Sequence, residues 1–197
     1  MMIKNVVLDM GNVLLDYNPD FSLNRFCSSE EEKEIIRKEL FLGAEWLMAD
    51  RGEIKDEDRF DLVKGRVPEK YHEALKNCCD YWTDCMVPLE GAREFCEKVK
   101  ASGHGIYILS NASNSFYKYF PKFLPLDFFT GVFVSSNYLL LKPEVAIYKK
   151  FLEEYGLDGK DCLFVDDRMD NVQGAREAGM NTLQFKGDYE EVIRRLG

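Results

Sequence analysis

Short apolar runs alternate with helical segments along much of this chain, and this alternation restricts the possible folds more than any other feature. Helices are predicted at 89–101, from Pro143 (as the first helical residue) to 156, at 171–178 and after a cap at Asp188. Strands that alternate with helices form a parallel, doubly wound sheet, so we expect an α/β, Rossmann-like fold of about five strands. The predicted strands are 3–9, 105–110, 132–135, 162–166 and 181–185.

The alternation stops between residues 16 and 86, where the pattern predicts helices alone. Ser29 and Glu32 have the spacing of a capping box, and an apolar helical pattern follows them. Further helical segments are expected at 45–48, 56–63 and 68–82. We therefore expect an α/β core of residues 1–15 and 87–197, interrupted after its first strand by an α-helical cap of residues 16–86.

Charge argues against nucleic acid as a partner. The 197 residues carry a formal net charge of −9, from 26 basic and 35 acidic side chains. A nucleic-acid binder needs a basic surface that displaces counterions from the phosphates. A small phosphorylated metabolite remains a suitable partner, because a metal ion and a few placed cations can dominate a local field.

The chain is expected to be cytoplasmic, with no part in a membrane. Its apolar runs are far too short to span a bilayer, and residues 1–5 lack the apolar region of a signal peptide. The six cysteines include no CxxC pair, so we expect reduced, mostly packed thiols. The sequence leaves the oligomeric state open.

Polar residues follow the predicted strands at the edge where parallel sheets bind ligands. Carboxylates crowded together repel one another unless a cation lies between them, which implies a divalent metal, and oxygen ligands favour Mg²⁺ over zinc. A carboxylate can attack phosphorus, while the metal, a lysine and a hydroxyl offset charge on the transferring oxygens. The residues expected at this edge are Asp9, Ser110, Asn111, Lys142, Asp166, Asp167 and Asn171.

Four segments give these residues a specific resemblance. They are 7–14 (VLDMGNVL), 109–111 (LSN), 140–144 (LLKPE) and 164–167 (FVDD) with Asn171. In this order and spacing they resemble the four motifs of the haloacid-dehalogenase-like hydrolases, and the helical insertion lies where that superfamily has its C1-type cap. Residues 50–54 (DRGEI) are similar to the cap of the branch that acts on glucose 1-phosphate.

The resemblance implies a role for each matching residue. Asp9 would be the nucleophile and a Mg²⁺ ligand, with the carbonyl of Gly11 and the Asp167 carboxylate as the other direct ligands. Asp166 and Asn171 would support them. The phosphoryl group would be held by Ser110, Asn111 and Lys142. Arg51 is either a solvated cap arginine or a substrate contact. His72 and His104 lack ligand-pattern neighbours and are interpreted as structural.

One position departs from the pattern of the superfamily's phosphatases. These usually carry a second aspartate two residues after the nucleophile, as the acid for the leaving group and the base for water, and here that residue is Gly11. An amide is no proton shuttle at neutral pH, so Asn12 cannot replace it. Asp16 is the nearest carboxylate in sequence that could.

The best prediction is therefore a magnesium-dependent phosphatase that hydrolyses a small phosphate monoester, with a sugar phosphate as one candidate, through an aspartyl-phosphate on Asp9. Two alternatives stay open. A 2-haloacid dehalogenase also uses a nucleophilic Asp, but its attack on carbon needs no metal. Without a metal, the carboxylates of Asp166 and Asp167 would repel one another at the sheet edge. A non-catalytic phosphate-binding or regulatory module would explain Gly11 directly.

Overall fold

Strands and short connections make up the centre of the protein. A computed structural model describes residues 3–197. The strands are β1 (Asn5–Leu8), β2 (Leu15–Asp16), β3 (Val87–Pro88), β4 (Gly105–Ser110), β5 (Gly131–Val134), β6 (Cys162–Asp166) and β7 (Asn181–Gln184). Five of them form a parallel sheet in the order β5-β4-β1-β6-β7, and β2 pairs with β3 in a separate antiparallel ribbon.

The register of the parallel strands brings three chain segments to one edge of the sheet. Leu8, the last residue of β1, lies opposite Ile108 on β4 and Val165 on β6. The residues that follow these partners therefore meet at the carboxyl edge, with Asp9 at the centre. This arrangement confirms the predicted five-stranded, doubly wound α/β fold.

Helices cover both faces of this sheet and fill the segment between β2 and β3. The α-helices are α1 (Pro19–Phe26), α2 (Glu30–Ile36), α3 (Ala44–Arg51), α4 (Arg59–Val63), α5 (His72–Tyr81), α6 (Ala92–Ala101), α7 (Phe116–Tyr119), α8 (Val145–Tyr155), α9 (Met169–Glu177) and α10 (Tyr189–Leu196). A π-helical turn covers Arg37–Phe41, and several 3₁₀ turns complete the helical segment, among them Asp56–Asp58, Glu69–Tyr71 and Trp82–Cys85.

The sheet is buried on both faces because successive side chains of each strand point to opposite sides. Val6 and Leu8 pack with residues of α6 and α10, in a cluster that continues into the helical segment. Val7 points the other way and packs with residues of α8 and α9. The apolar runs of the sequence therefore serve two layers at once, as expected for parallel strands.

Local details differ from the sequence-based predictions at two helix starts. Pro143 does not begin a helix: the Glu144 N–H donates to the Leu141 carbonyl at 2.9 Å, which closes a turn, and α8 begins at Val145. Ser29 caps α2 as predicted, with its hydroxyl accepting from the Glu32 N–H at 3.2 Å. The Glu32 carboxylate, however, accepts from the Ser28 N–H at 2.6 Å, one residue before the expected partner.

The β2–β3 ribbon was not foreseen from the sequence. It lies at the two ends of the predicted helical insertion, where Leu15 faces Pro88 and Asp16 faces Val87. The division into a core of residues 1–15 and 87–197 and a cap of residues 16–86 stays a prediction, and residues 1–2 of that core lie outside the described residues.

Two other expectations concern the whole chain. Within residues 3–197, none of the helices combines the length and apolarity needed to cross a bilayer. All six cysteines are free thiols. The cytoplasmic location stays a prediction, as does the interpretation of residues 1–5, of which Met1 and Met2 lie outside the described part.

Candidate active site

Three aspartates come together at the carboxyl edge of the sheet. Asp9 follows β1, Asp166 ends β6 and Asp167 comes next, and one oxygen of each lies within 4.8 Å of the others. The strand register explains this meeting, since the ends of β1 and β6 are neighbours. Like charges at this spacing repel one another, and carboxylate oxygens are the ligands that Mg²⁺ prefers. The residues present therefore fit a magnesium ion.

Lys142 lies between two of these carboxylates. Its ammonium is 2.7 Å from Asp9 Oδ1 and 2.7 Å from Asp166 Oδ2, and its side chain is 1% exposed. Asn111 fixes the lysine backbone, because its side-chain oxygen accepts from the Lys142 N–H at 2.8 Å and its NH₂ donates to the Lys142 carbonyl at 2.9 Å. The Asn111 side chain thus positions Lys142, so any contact it makes with a phosphoryl group would have to come from its main chain.

Asp166 is fully buried and its oxygens are surrounded by donors. The Asn171 NH₂ donates to both oxygens at 3.0 Å, the Arg168 N–H donates to Oδ1 at 2.9 Å, and the Lys142 ammonium donates to Oδ2. A carboxylate with this set of partners has little capacity left for a ligand. Asp166 and Asn171 therefore lie behind Lys142, and their role in supporting the metal ligands stays a prediction.

Asp9 and Asp167 face the open side of the edge. The Met10 N–H donates to Asp9 Oδ1 at 2.7 Å, so this contact and the Lys142 ammonium both fall on the same oxygen. Burial raises the pKa of Asp9 to about 7, with Asp166 adding to the rise and Lys142 opposing it. Burial also raises the pKa of Asp167, which is half-buried. A bound divalent cation would favour the ionised form of both groups.

Asn12 is a site residue whose role the sequence did not reveal. Its NH₂ donates to Asp167 Oδ2 at 3.2 Å, and its oxygen accepts from the Tyr17 N–H at 3.1 Å. Its φ of 55° lies in the left-handed region, which asparagine tolerates better than most residues. From the sequence, Asn12 was considered only as a replacement for a proton donor at position 11, and its partner Asp167 lies 155 positions away in the chain. Asn12 holds Asp167 in place beside the loop that carries Gly11.

The Ser110 hydroxyl is an unsatisfied polar group among the described residues. Ser110 ends β4, is completely buried, and its Oγ has no hydrogen-bond partner among residues 3–197. A buried hydroxyl without a partner costs roughly 1–3 kcal/mol. Ser110 is one of the residues that line the cavity containing Asp9 and Lys142.

A cavity of about 600 Å³ opens above these residues. One side consists of the sheet edge and its loops, and the other consists of the helical segment. The lining from the helical segment and its entrance is Tyr17, Phe41, Leu42, Gly43, Trp46, Leu47, Asp50 and Trp82. The lining from the sheet side is Asp9, Met10, Gly11, Asn12, Ser110, Asn111, Ala112, Tyr119, Lys142, Asp167, Arg168 and Asn171.

Asp50 is a second residue that the sequence did not single out as chemical. It lines the cavity from α3, and burial raises its pKa to about 7, against the lowering effect of the nearby Arg59 guanidinium. The Ser135 hydroxyl donates to the Asp50 carbonyl at 2.5 Å.

The end of α3 packs closely against the segment that follows β5. At Gly52, with a φ of 87°, an added Cβ would come within 2.2 Å of the Ser136 carbonyl oxygen, so only glycine allows this close approach.

Two predicted residues lie away from the cavity. Arg51 does not line it: its guanidinium is 2.6 Å from Glu144 Oε1 and 3.8 Å from Glu53. Asp16, the predicted substitute for a proton donor at Gly11, is in β2 and likewise does not line the cavity. Of the carboxylates in the helical segment, Asp50 is the one that borders the cavity.

Comparisons with known proteins show what this chain is similar to. A family model described as haloacid dehalogenase-like hydrolase matches residues 3–179. The chain is 25% identical over 178 residues to the sesquiterpene phosphatase astK of Aspergillus oryzae, covering 90% of this chain and 87% of that protein. It is 25% identical over 207 residues to a phosphoglycolate phosphatase of Nitrosospira multiformis, covering 96% and 86%.

A solved structure extends the comparison to the fold. The crystal structure of the HAD family enzyme bt-2542 from Bacteroides thetaiotaomicron, in its magnesium complex, superposes with a TM-score of 0.80. The match covers 98% of this chain and 100% of that one, at 23% sequence identity. This likeness supports the shared architecture of the two chains.

Proposed function

The chain belongs to the haloacid dehalogenase-like hydrolase family, and we propose that it is a magnesium-dependent phosphatase that transfers the phosphoryl group of a small monoester to Asp9. The hydrolase class follows from the family match and from relatives named as phosphatases. The magnesium ion, the role of Asp9 as the nucleophile and the class of substrate are proposals.

The arrangement around Asp9 supports attack by its second oxygen. Among the described residues, the Met10 N–H and the Lys142 ammonium both bind Oδ1, so Oδ2 remains for reaction. Oδ2 forms a bond to phosphorus as the bond to the leaving oxygen breaks, and that oxygen departs as an alkoxide that takes a proton from water. Water then attacks the aspartyl-phosphate, releases inorganic phosphate and restores the Asp9 carboxylate.

Three further groups would act on the phosphoryl oxygens. Lys142 offsets their negative charge, and the Ser110 hydroxyl donates a hydrogen bond to one of them. A magnesium ion held by Asp9, Asp167 and the Gly11 carbonyl would supply additional positive charge and orient the ester. Asp166, Asn171, Asn111 and Asn12 would keep these groups in position through the hydrogen bonds described above.

The unpartnered Ser110 hydroxyl is the observation that carries this proposal. Burial of a hydroxyl without a partner is unfavourable, and here it occurs beside a carboxylate and a buried ammonium in one cavity. A phosphoryl oxygen would give this hydroxyl the partner that it lacks, and the ammonium, which is bound to Asp9 and Asp166, has a third N–H for the same phosphoryl group.

The test is a panel of phosphate monoesters assayed with and without magnesium, followed by labelling of the enzyme. We expect turnover only with the metal, and a phosphorylated intermediate on Asp9 after rapid quenching. Asp9→Asn, which keeps the size of the side chain, should abolish both. A variant that retained most of the turnover would exclude covalent catalysis by this residue.

The two alternatives predict different results in the same experiment. A non-catalytic module, which the glycine at position 11 favours, should bind inorganic phosphate without becoming labelled. A dehalogenase should release halide from a 2-haloacid without magnesium. Neither alternative accounts for turnover of phosphate esters that requires the metal.

Two similarities favour different classes of substrate. The similarity of residues 50–54 to the glucose-1-phosphate branch favours a sugar phosphate, whereas one relative's name denotes a terpene phosphatase. We also propose that residues 16–86 form the cap that contacts the leaving group, since they supply the cavity wall opposite the sheet edge.

A further inference from the structure

Two exposed leucines border the candidate active site. Leu42 is 75% exposed and Leu47 is 57% exposed. Nine large apolar side chains are exposed within residues 3–197, and these two are the ones that also line the cavity containing Asp9. Apolar surface left in water beside a reaction centre gains free energy when a ligand covers it.

The backbone that carries Leu42 and Leu47 is held by a tight turn at Gly43 and by the packing of Trp46. Gly43 allows the chain to turn tightly between Leu42 and α3, since an added Cβ would approach the Glu39 carbonyl oxygen to 2.3 Å. Trp46, one residue before Leu47, is buried with its ring centroid 5.0 Å from that of Phe41 and 5.0 Å from that of Trp82. All three aromatic side chains also line the cavity, so the part of the wall beside the two leucines is apolar, with Asp50 as the carboxylate of the same wall.

The fully buried Arg59 supports this wall from behind. Its guanidinium carbon is 4.1 Å from the Trp46 ring centroid, and one of its nitrogens is 2.8 Å from Asp56 Oδ1. A guanidinium stacked on an indole and paired with a carboxylate restricts both side chains. The apolar wall is therefore preformed, and ligand binding need not order it.

The three asparagine side chains that line the cavity have few groups to spare for sugar hydroxyls, and Asp50 and Tyr17 are the other polar side chains of the wall that carries the leucines. The Asn12 side chain binds Asp167 and Tyr17, that of Asn111 binds Lys142, and that of Asn171 binds Asp166. Arg168 donates twice to Asp170, at 3.1 and 2.7 Å. A sugar would bring several hydroxyls into this cavity, and each that lost water without gaining a partner would cost free energy.

We propose that the leaving group is an apolar alcohol, whose hydrocarbon chain or ring packs on Leu42 and Leu47 while the phosphate occupies the sheet edge. This inference rests on the proposed phosphatase function and selects among its substrates. The phosphate group and the hydrocarbon thus bind opposite sides of one cavity.

The test is a series of n-alkyl phosphates from ethyl to octyl, assayed with magnesium. Their leaving oxygens are nearly equal in basicity, so the chemical step changes little along the series. We expect kcat/KM to rise about 2- to 4-fold for each added methylene until the wall is covered. Sorbitol 6-phosphate has the six carbons and the primary ester of hexyl phosphate but adds five hydroxyls, and it should react no faster than ethyl phosphate.

Matched variants assign the effect to the two leucines. Leu42→Gln with Leu47→Gln should flatten the dependence on chain length, so that the ratio of kcat/KM for octyl phosphate to that for ethyl phosphate falls toward 1. Leu62→Gln is the control, because Leu62 is 46% exposed on α4 and does not line the cavity. Both leucines are exposed, so their replacement leaves the core intact.

Three outcomes would overturn the inference. A preference for sorbitol 6-phosphate, or a rate independent of chain length, would refute an apolar leaving group while leaving the phosphatase function in place. A chain-length dependence that survived in the double variant would refute the assignment to Leu42 and Leu47. No turnover of any ester, phenyl phosphate included, would refute the proposed function and this inference with it.

Discussion

Replacement of Gly11 by aspartate should convert this protein into a better catalyst for esters with poor leaving groups. The position follows the nucleophile by two residues and lines the cavity, but glycine has no group to move a proton. The structure has room for the change. A Cβ built on Gly11 would have Tyr17 Cβ as its nearest neighbour at 3.6 Å, an ordinary van der Waals contact. The backbone at Gly11 also avoids the left-handed region, so a side chain adds no strain.

The magnitude depends on the basicity of the leaving oxygen. A well-placed general acid is worth about 10²- to 10⁴-fold in rate when the leaving group needs a proton. We therefore expect Gly11→Asp to raise kcat/KM for hexyl phosphate by about 10²-fold or more. An aryl phosphate such as p-nitrophenyl phosphate departs without a proton, so its kcat/KM should change little.

The assay is a plot of log kcat/KM against leaving-group pKa for the wild type and the variant. The wild type should show a steep fall as the leaving group becomes more basic, and Gly11→Asp should flatten it. Gly11→Ala and Gly11→Asn are the controls, because they add a Cβ or an amide of similar size without a transferable proton. Both should keep the steep dependence.

Equal, shallow slopes in wild type and variant would refute this reasoning, because they would show that another group already protonates the leaving oxygen. Asp50 is then the residue to test. It borders the same cavity, and burial raises its pKa to about 7, which suits a proton donor at neutral pH. In that case Asp50→Asn would steepen the wild-type dependence.

Three further predictions concern single side chains. Asn12→Gly keeps the left-handed backbone but releases Asp167, so the magnesium concentration for half-maximal activity should rise about 10- to 100-fold. Ser110→Ala removes a buried hydroxyl without a partner, so the free energy of unfolding should rise by about 1 kcal/mol while kcat falls about 10²-fold. Asp50 has a folded-state pKa of about 7 against an ordinary 3.8, so it binds a proton more tightly when folded, and its contribution to stability is lost as pH rises from 4 to 7. Asp50→Asn should therefore leave the free energy of unfolding unchanged at pH 4 and raise it by about 2–4 kcal/mol at pH 8, as measured by urea denaturation.

The sheet edge was predictable because each of its parts has a local signal. Buried parallel strands are continuous apolar runs, and the residue after each run is by topology at the carboxyl edge. Asp9, Ser110 and Asp166 could be assigned to one rim from these two facts. The role of the Asn111 side chain could not be predicted in this way, because its hydrogen bonds to Lys142 join residues that are 31 positions apart.

The cap side was harder because its contacts leave no repeating pattern. The close approach at Gly52 depends on the carbonyl of Ser136, and the buried Arg59 depends on two tryptophans that lie 36 residues apart in the chain. Neither partner is recognisable from the residues around it. Arg51 became a candidate substrate contact because its segment resembles a known motif. Such a resemblance identifies the segment but not the direction in which each of its side chains points.

Helix geometry does distinguish Asp50 from Arg51 once α3 is known. Successive residues of a helix are rotated by about 100°, so residues four apart lie on nearly the same face. Trp46 is buried and borders the cavity, and Asp50 is four residues further on, whereas Arg51 is turned away from Trp46 by about 140°. The large tryptophan sets which face of α3 packs inward. A side chain on that face must enter the cavity, so the carboxylate of Asp50 reaches the candidate active site and the guanidinium of Arg51 reaches Glu144 instead.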